Sequence, residues 1–210
     1  NETLVIRSHG VEKAVIALCE ESQVAFVDAT CPFVAKIHKI VTEHSLQGYT
    51  TIIAGDKNHQ EVKGIIGHTF GEYYVIADTD ELAYLLENNL ELANKKLIMV
   101  SQTTFNAKIW QKVQKNLKKV CTNAKIFDTM CNATSMRQEE AYSLSLVNDA
   151  IIVIGGRHSS NTAKLFDVCK ANCGKAFLIE TANEIPLNEI KNCKNIGVVA
   201  GAYTPAGIIK

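Results

Sequence analysis

The chain has 210 residues, 47% of them hydrophobic and 21% charged, with 22 basic side chains balancing 22 acidic ones. That is the composition of a globular protein with room for one large domain or two ordinary ones. The balanced charge, with no basic run to neutralise phosphates, excludes a sequence-independent nucleic-acid binder, and no uncharged stretch reaches the ~18 apolar residues of a membrane span.

No signal-peptide pattern opens the sequence. The opening enters a β run, "LVI" (4–6), within four residues of its first residue, as a natural start or a truncated chain would. Further short apolar runs follow at 24–27, 50–55, 73–78, 96–100, 125–127, 150–156, 176–180 and 196–201, with helical stretches such as 32–47 and 135–149 between them. Continuous β-branched runs alternating with amphipathic helices predict an α/β fold with mainly parallel sheets covered on both faces.

The alternation also repeats. "VDATCPFVA" (27–35) and "FDTMCNATS" (127–135) each place an aspartate three residues before a cysteine at a strand-to-helix corner. Downstream, "IIAGDKNHQEVKG" aligns with "VIGGRHSSNTAKL", so that His59 falls opposite Ser159 and Glu61 opposite Asn161. The expected organisation is a remnant of a first α/β unit over 1–24, a second unit over 25–122, a third over 123–200 and a closing segment over 201–210. Ligands of parallel α/β sheets bind at the carboxyl ends of the strands. Ser8-His9, Asn58 to Glu61, Gln102-Thr103-Thr104, Ser159-Ser160-Asn161 and Tyr203-Thr204 all follow apolar runs.

Seven cysteines, an odd number with no secretory context, exclude complete disulfide pairing. Cys19, Cys121, Cys169, Cys173 and Cys193 read as small buried hydrophobes. Cys31 and Cys131 differ because helix starts stabilise the thiolate that metals need. Two corner cysteines without a CxxC pair do not make a closed zinc site. An iron–sulfur cluster with one ligand from each repeat suits them better, and simple packing remains the other reading. The "SSN" at 159–161 offers hydroxyl, amide and helix N-terminal donors for an anion, or plain helix caps. His9 and His59 add imidazole donors, and no nucleotide motif is present. Glu61, two residues past a histidine, is placed to hold or relay a proton, or else is an ordinary first-turn glutamate.

"RSHGV", "DATCPFV", "GDKNHQEVKG", "SQTT", "CNAT…RQEEA", "GGRHSSNTAKL" and "AGAYTP" together resemble the LytB/IspH family of 4-hydroxy-3-methylbut-2-enyl diphosphate reductases, in order and along the whole chain. The resemblance implies three α/β units in a pseudo-threefold arrangement around a central cavity, the first of them incomplete in an N-terminally truncated chain. It implies a [4Fe–4S] cluster that reductively dehydroxylates an allylic diphosphate to isopentenyl and dimethylallyl diphosphate. Cys31 and Cys131 would be two of three cluster ligands. His9, His59, Ser159, Ser160, Asn161 and Tyr203 would line the diphosphate site, Thr103 would contact the substrate near its hydroxyl, and Glu61 would deliver the proton. A reduced ferredoxin- or flavodoxin-type donor, a cytoplasmic location and no membrane or nucleic-acid partner complete the expectation.

Departures accompany the likeness. The family's N-terminal cysteine motif and a further substrate histidine have no counterpart here. Gln60 stands where the family has proline, and Tyr203 where it has serine. A non-catalytic diphosphate- or metal-binding module on the same fold is the alternative, and a scaffold whose polar clusters are only caps and turns is a third reading.

Overall fold

A computed structural model describes residues 2–202 and 204–209 of the chain. They form two compact units, residues 1–130 and 131–210. Every strand pairing in both units is parallel.

In the first unit, β1 (Leu4–Ile6), α1 (Lys13–Glu21), β2 (Phe26–Asp28) and α2 (Pro32–Ser45) precede β3 (Thr50–Ala54) and α3 (Gln60–Gly67). Then come β4 (Tyr73–Ile76), α4 (Thr79–Asn88), β5 (Leu97–Ser101), α5 (Ala107–Val120) and β6 (Lys125–Ile126). β1 and β2 make a two-stranded sheet, and the other four strands form a sheet in the order β4-β3-β5-β6. β3 and β5 are buried along their whole length, as central strands covered on both faces must be. Alternate residues serve opposite layers. Ile52, Leu97 and Met99 pack with Leu82 and Leu85 of α4 and Trp110, Val113 and Leu117 of α5. Ile53, Ile98 and Val100 pack with Ile37 and Val41 of α2 and Val62 and Ile65 of α3.

Local chemistry sets where these helices begin. Pro32 occupies the first turn of α2, where its missing N–H costs no hydrogen bond. Asp78 caps α4 by accepting from the amides of Asp80 and Glu81, both at 2.9 Å, and Asn106 caps α5 through the Ile109 amide at 3.0 Å.

The second unit runs α6 (Asn132–Val147), β7 (Ala150–Ile154), α7 (Ser160–Asn172), β8 (Ala176–Ile179), α8 (Leu187–Ile190), β9 (Ile196–Ala200) and α9 (Ala206–Ile209). Its sheet has the order β8-β7-β9. Ile151 and Val153 face Ala141 of α6 and Leu165, Val168, Cys169 and Cys173 of α7. Ala150, Ile152 and Ile154 face the other way, toward Ile179 and Ile190. The "CKANC" pair is thus core packing, and Cys19 and Cys121 are buried too, while Cys193 is half-buried. Among the described residues, no helix is long and apolar enough to cross a membrane.

Candidate active site

The strand ends of the first unit bring four expected residues together. The loop after β3 leads into α3 with His59 as its cap, the ring Nδ1 accepting from the Glu61 amide at 3.2 Å. The loop after β1 carries His9, whose ring meets His59 edge-on with centroids 5.3 Å apart. Both imidazoles are held below their ordinary pKa, first by burial. For His9 the Arg7 charge adds to this, and for His59 the neighbouring His9 does.

Glu61 is not an exposed first-turn glutamate. It is 1% exposed and reaches Thr103, in the turn after β5. Glu61 Oε1 accepts from the Thr103 amide at 2.6 Å, and Oε2 accepts from the Thr103 hydroxyl at 2.8 Å. Those donors and the helix start favour a carboxylate. Burial outweighs them and raises the pKa above the ordinary value. Gln60, at the first position of α3, is exposed; the helix starts there without proline because His59 provides the cap.

Cys31 and Cys131 occupy matching positions as N-caps of α2 and α6, and neither side chain makes a cap hydrogen bond. Both thiols are free and half-buried. The aspartates at the corners are tied down differently: Asp28 accepts from the Thr30 amide at 2.9 Å, while Asp128 accepts from Trp110 Nε1 at 3.1 Å. Half-buried thiols at helix starts, without a cap hydrogen bond, suit thiolate ligation. Among the described residues, no group of three or more His, Cys, Asp or Glu side chains is gathered for a metal ion.

In the second unit, the loop after β7 leads into α7. Ser159 is its N-cap, Oγ accepting from the Thr162 amide at 3.3 Å, and Ser160 is half-buried in the first turn. Asn161 is 7% exposed, and neither its Nδ2 nor its Oδ1 has a hydrogen-bond partner. A buried amide with both ends unpaired is rare, because each unmet group carries its desolvation cost. Arg157, in the loop after β7, ion-pairs with Glu184. Tyr203 lies outside the described residues. Its neighbour Thr204 donates to the Ile154 carbonyl oxygen at 3.1 Å.

His9, His59, Glu61 and Thr103 therefore form one cluster, and Ser159, Ser160 and Asn161 form the other. A stacked pair, His38 and His68, escaped sequence reading. Its one signal was a histidine among Val34, Ile37 and Val41 on the inner face of α2.

Comparisons with known proteins place the whole chain in one family. Residues 1–210 match the family described as LytB protein. A 4-hydroxy-3-methylbut-2-enyl diphosphate reductase of Caldanaerobacter subterraneus subsp. tengcongensis is 41% identical over 209 residues, covering all of this chain and 70% of the relative. The E-1-hydroxy-2-methyl-but-2-enyl-4-diphosphate reductase structure from Plasmodium falciparum is similar with a TM-score of 0.90 and 27% identity, over 98% of this chain and 64% of that one. A structure of (E)-4-hydroxy-3-methyl-but-2-enyl diphosphate reductase, the terminal enzyme of the non-mevalonate pathway, gives a TM-score of 0.61 at 33% identity, over 99% and 73% of the two chains. On these matches, which leave almost none of its residues uncovered, the chain belongs to the LytB protein family.

Proposed function

We propose that the chain is a 4-hydroxy-3-methylbut-2-enyl diphosphate reductase, which removes the allylic hydroxyl and yields isopentenyl and dimethylallyl diphosphate. The family match supports the reaction, and one observation supports the division of labour: a buried carboxyl group, its pKa raised by that burial, bonded twice to Thr103. Replacing a hydroxyl by hydrogen consumes two electrons and two protons and releases water. The leaving oxygen must be protonated, and Glu61 is the carboxyl group whose burial raises its pKa and so favours holding a proton. Protonated at Oε2, it donates to Thr103 Oγ1, freeing the threonine hydroxyl hydrogen for the substrate oxygen; this is general acid catalysis through a hydroxyl relay. A binding module has no use for such a group.

His9 and His59 act as neutral donors to diphosphate oxygens in this reading. Ser159, Ser160 and Asn161 contribute hydroxyl and amide donors at the start of α7, where the helix dipole favours an anion. Tyr203 belongs to the same proposed set. Cys31 and Cys131 would hold a [4Fe–4S] cluster, and their two thiols fit its chemistry but are fewer than its ligands. That cluster would supply the electrons one at a time. The donor is proposed to be a reduced ferredoxin- or flavodoxin-type protein and the setting cytoplasmic. Three α/β units, with boundaries near residues 25, 123 and 201, are proposed as the organisation.

Glu61→Gln tests the assignment. After anaerobic loading, iron, sulfide and diphosphate affinity are expected to match the unmodified protein, while turnover falls by about a hundredfold or more, the scale of a lost general acid. A Glu61→Gln protein that turns over normally overturns the proton role.

A further inference from the structure

A second pair of histidines touches the turn that carries His9. His38, on α2, is 8% exposed, and its ring stacks on His68 with centroids 4.0 Å apart and planes 15° from parallel. His68 Nε2 lies 3.1 Å from the Val11 carbonyl oxygen, just beyond His9 and Gly10. His38 also meets two glycines. A Cβ on Gly10 would stand 2.6 Å from His38 Cε1, and one on Gly64 would stand 3.2 Å from His38 Nε2 and 3.6 Å from the His9 carbonyl oxygen. Gly10 has φ +69°, so both its backbone and its surroundings require glycine.

The imidazole is neutral, its pKa held down to about 4 by burial, with the nearby His68 contributing. His38 Nε2 is buried without a partner. The other large inward residues of α2 are Val34, Ile37 and Val41, so hydrophobic packing alone gives no reason for an imidazole between them. What the ring offers is thinness. It fits against two bare backbone segments, one in the His9 turn and one in the helix whose first turn carries His59 and Glu61.

We propose that His38 is a positioning residue: wedged against Gly10 and Gly64, it sets the spacing between the His9 turn and α3, and so the edge contact of His9 with His59. This rests on the reading of those two histidines as diphosphate ligands. His38 touches no substrate; it acts through the two backbones it separates. Loss of its ring lets the His9 turn settle toward α3 and misaims one donor.

The test uses the full protein, with inorganic diphosphate titrated calorimetrically and the anaerobically loaded enzyme assayed in parallel. His38→Ala is expected to raise both the Kd for inorganic diphosphate and the KM about tenfold, with kcat and iron content within about twofold of the unmodified protein, as displacement of one ligand donor requires. Gly64→Ala probes the same slot from the other side; the helix propensity it gains offsets part of the cost of crowding His38. It is expected to weaken diphosphate about threefold, consistent with an ångström-scale displacement. If His38→Ala lowers the melting temperature but leaves Kd and KM unchanged, His38 is only a packing residue and the proposal falls. Should His38→Ala fail to fold, an unchanged Kd in Gly64→Ala overturns it equally. Failure of the underlying functional reading looks different: the unmodified protein itself would bind no diphosphate.

Discussion

Replacing Asn161 with leucine separates stability from binding. The side chain is 7% exposed with both amide atoms unpaired, and leucine has a similar branched shape. Each unmet buried polar group costs about 1–3 kcal/mol, so Asn161→Leu is expected to stabilise the ligand-free protein by up to about 3 kcal/mol, net of imperfect packing. The same change removes an N–H donor from the proposed diphosphate site. A hydrogen bond to a charged acceptor is worth about 1.5–3 kcal/mol, which corresponds to roughly ten- to hundredfold weaker binding. Urea unfolding with and without inorganic diphosphate reads both terms in one series. The ligand-free midpoint should rise, and the diphosphate-induced shift should shrink or vanish. A leucine variant that is less stable without ligand, yet shifts as far with it, would refute the reasoning, because it would mean the amide is already satisfied and faces no ligand.

Glu61 makes stability depend on pH. Its folded pKa is raised above the ordinary 4.5, so its stabilising contribution is complete below that value and declines as pH rises through the folded pKa. The difference in unfolding free energy between Glu61→Gln and the unmodified protein should therefore grow in favour of the glutamine as pH rises above 4.5; a flat difference would contradict the burial argument. Cys31→Ser and Cys131→Ser are each expected to abolish retention of iron and sulfide after anaerobic loading. Because both thiols are half-buried and make no cap bond, the metal-free proteins should keep their melting behaviour to within about 0.5 kcal/mol. Retained iron in either variant would exclude that cysteine as a ligand.

The central strands β3, β5 and β7 were legible because a parallel strand buried on both faces is mostly apolar, as "TTIIA", "LIMVS" and "AIIVI" are. The cap roles of Cys31 and Cys131 were legible too, since Pro32 and the repeat mark the same corner twice. Pairing was not. β2 bonds to β1, and β6 bonds to β5, so each strand entering a cysteine corner ends the preceding sheet, a choice made by crossover geometry that leaves no trace in composition. The Glu61–Thr103 bond joins residues 42 apart, and spacing along a chain cannot reveal it. His38 was hidden for the opposite reason: at an inward position of an amphipathic helix, it looks like one more core residue.

The corner at Cys31 joins two layers. Its strand β2 is laced to β1, whereas α2, which starts at the next residue, is packed into the face of the four-stranded sheet. A thiol there takes its position from two layers at once, so loosening either the β1–β2 pair or the packing of α2 against the large sheet would move it.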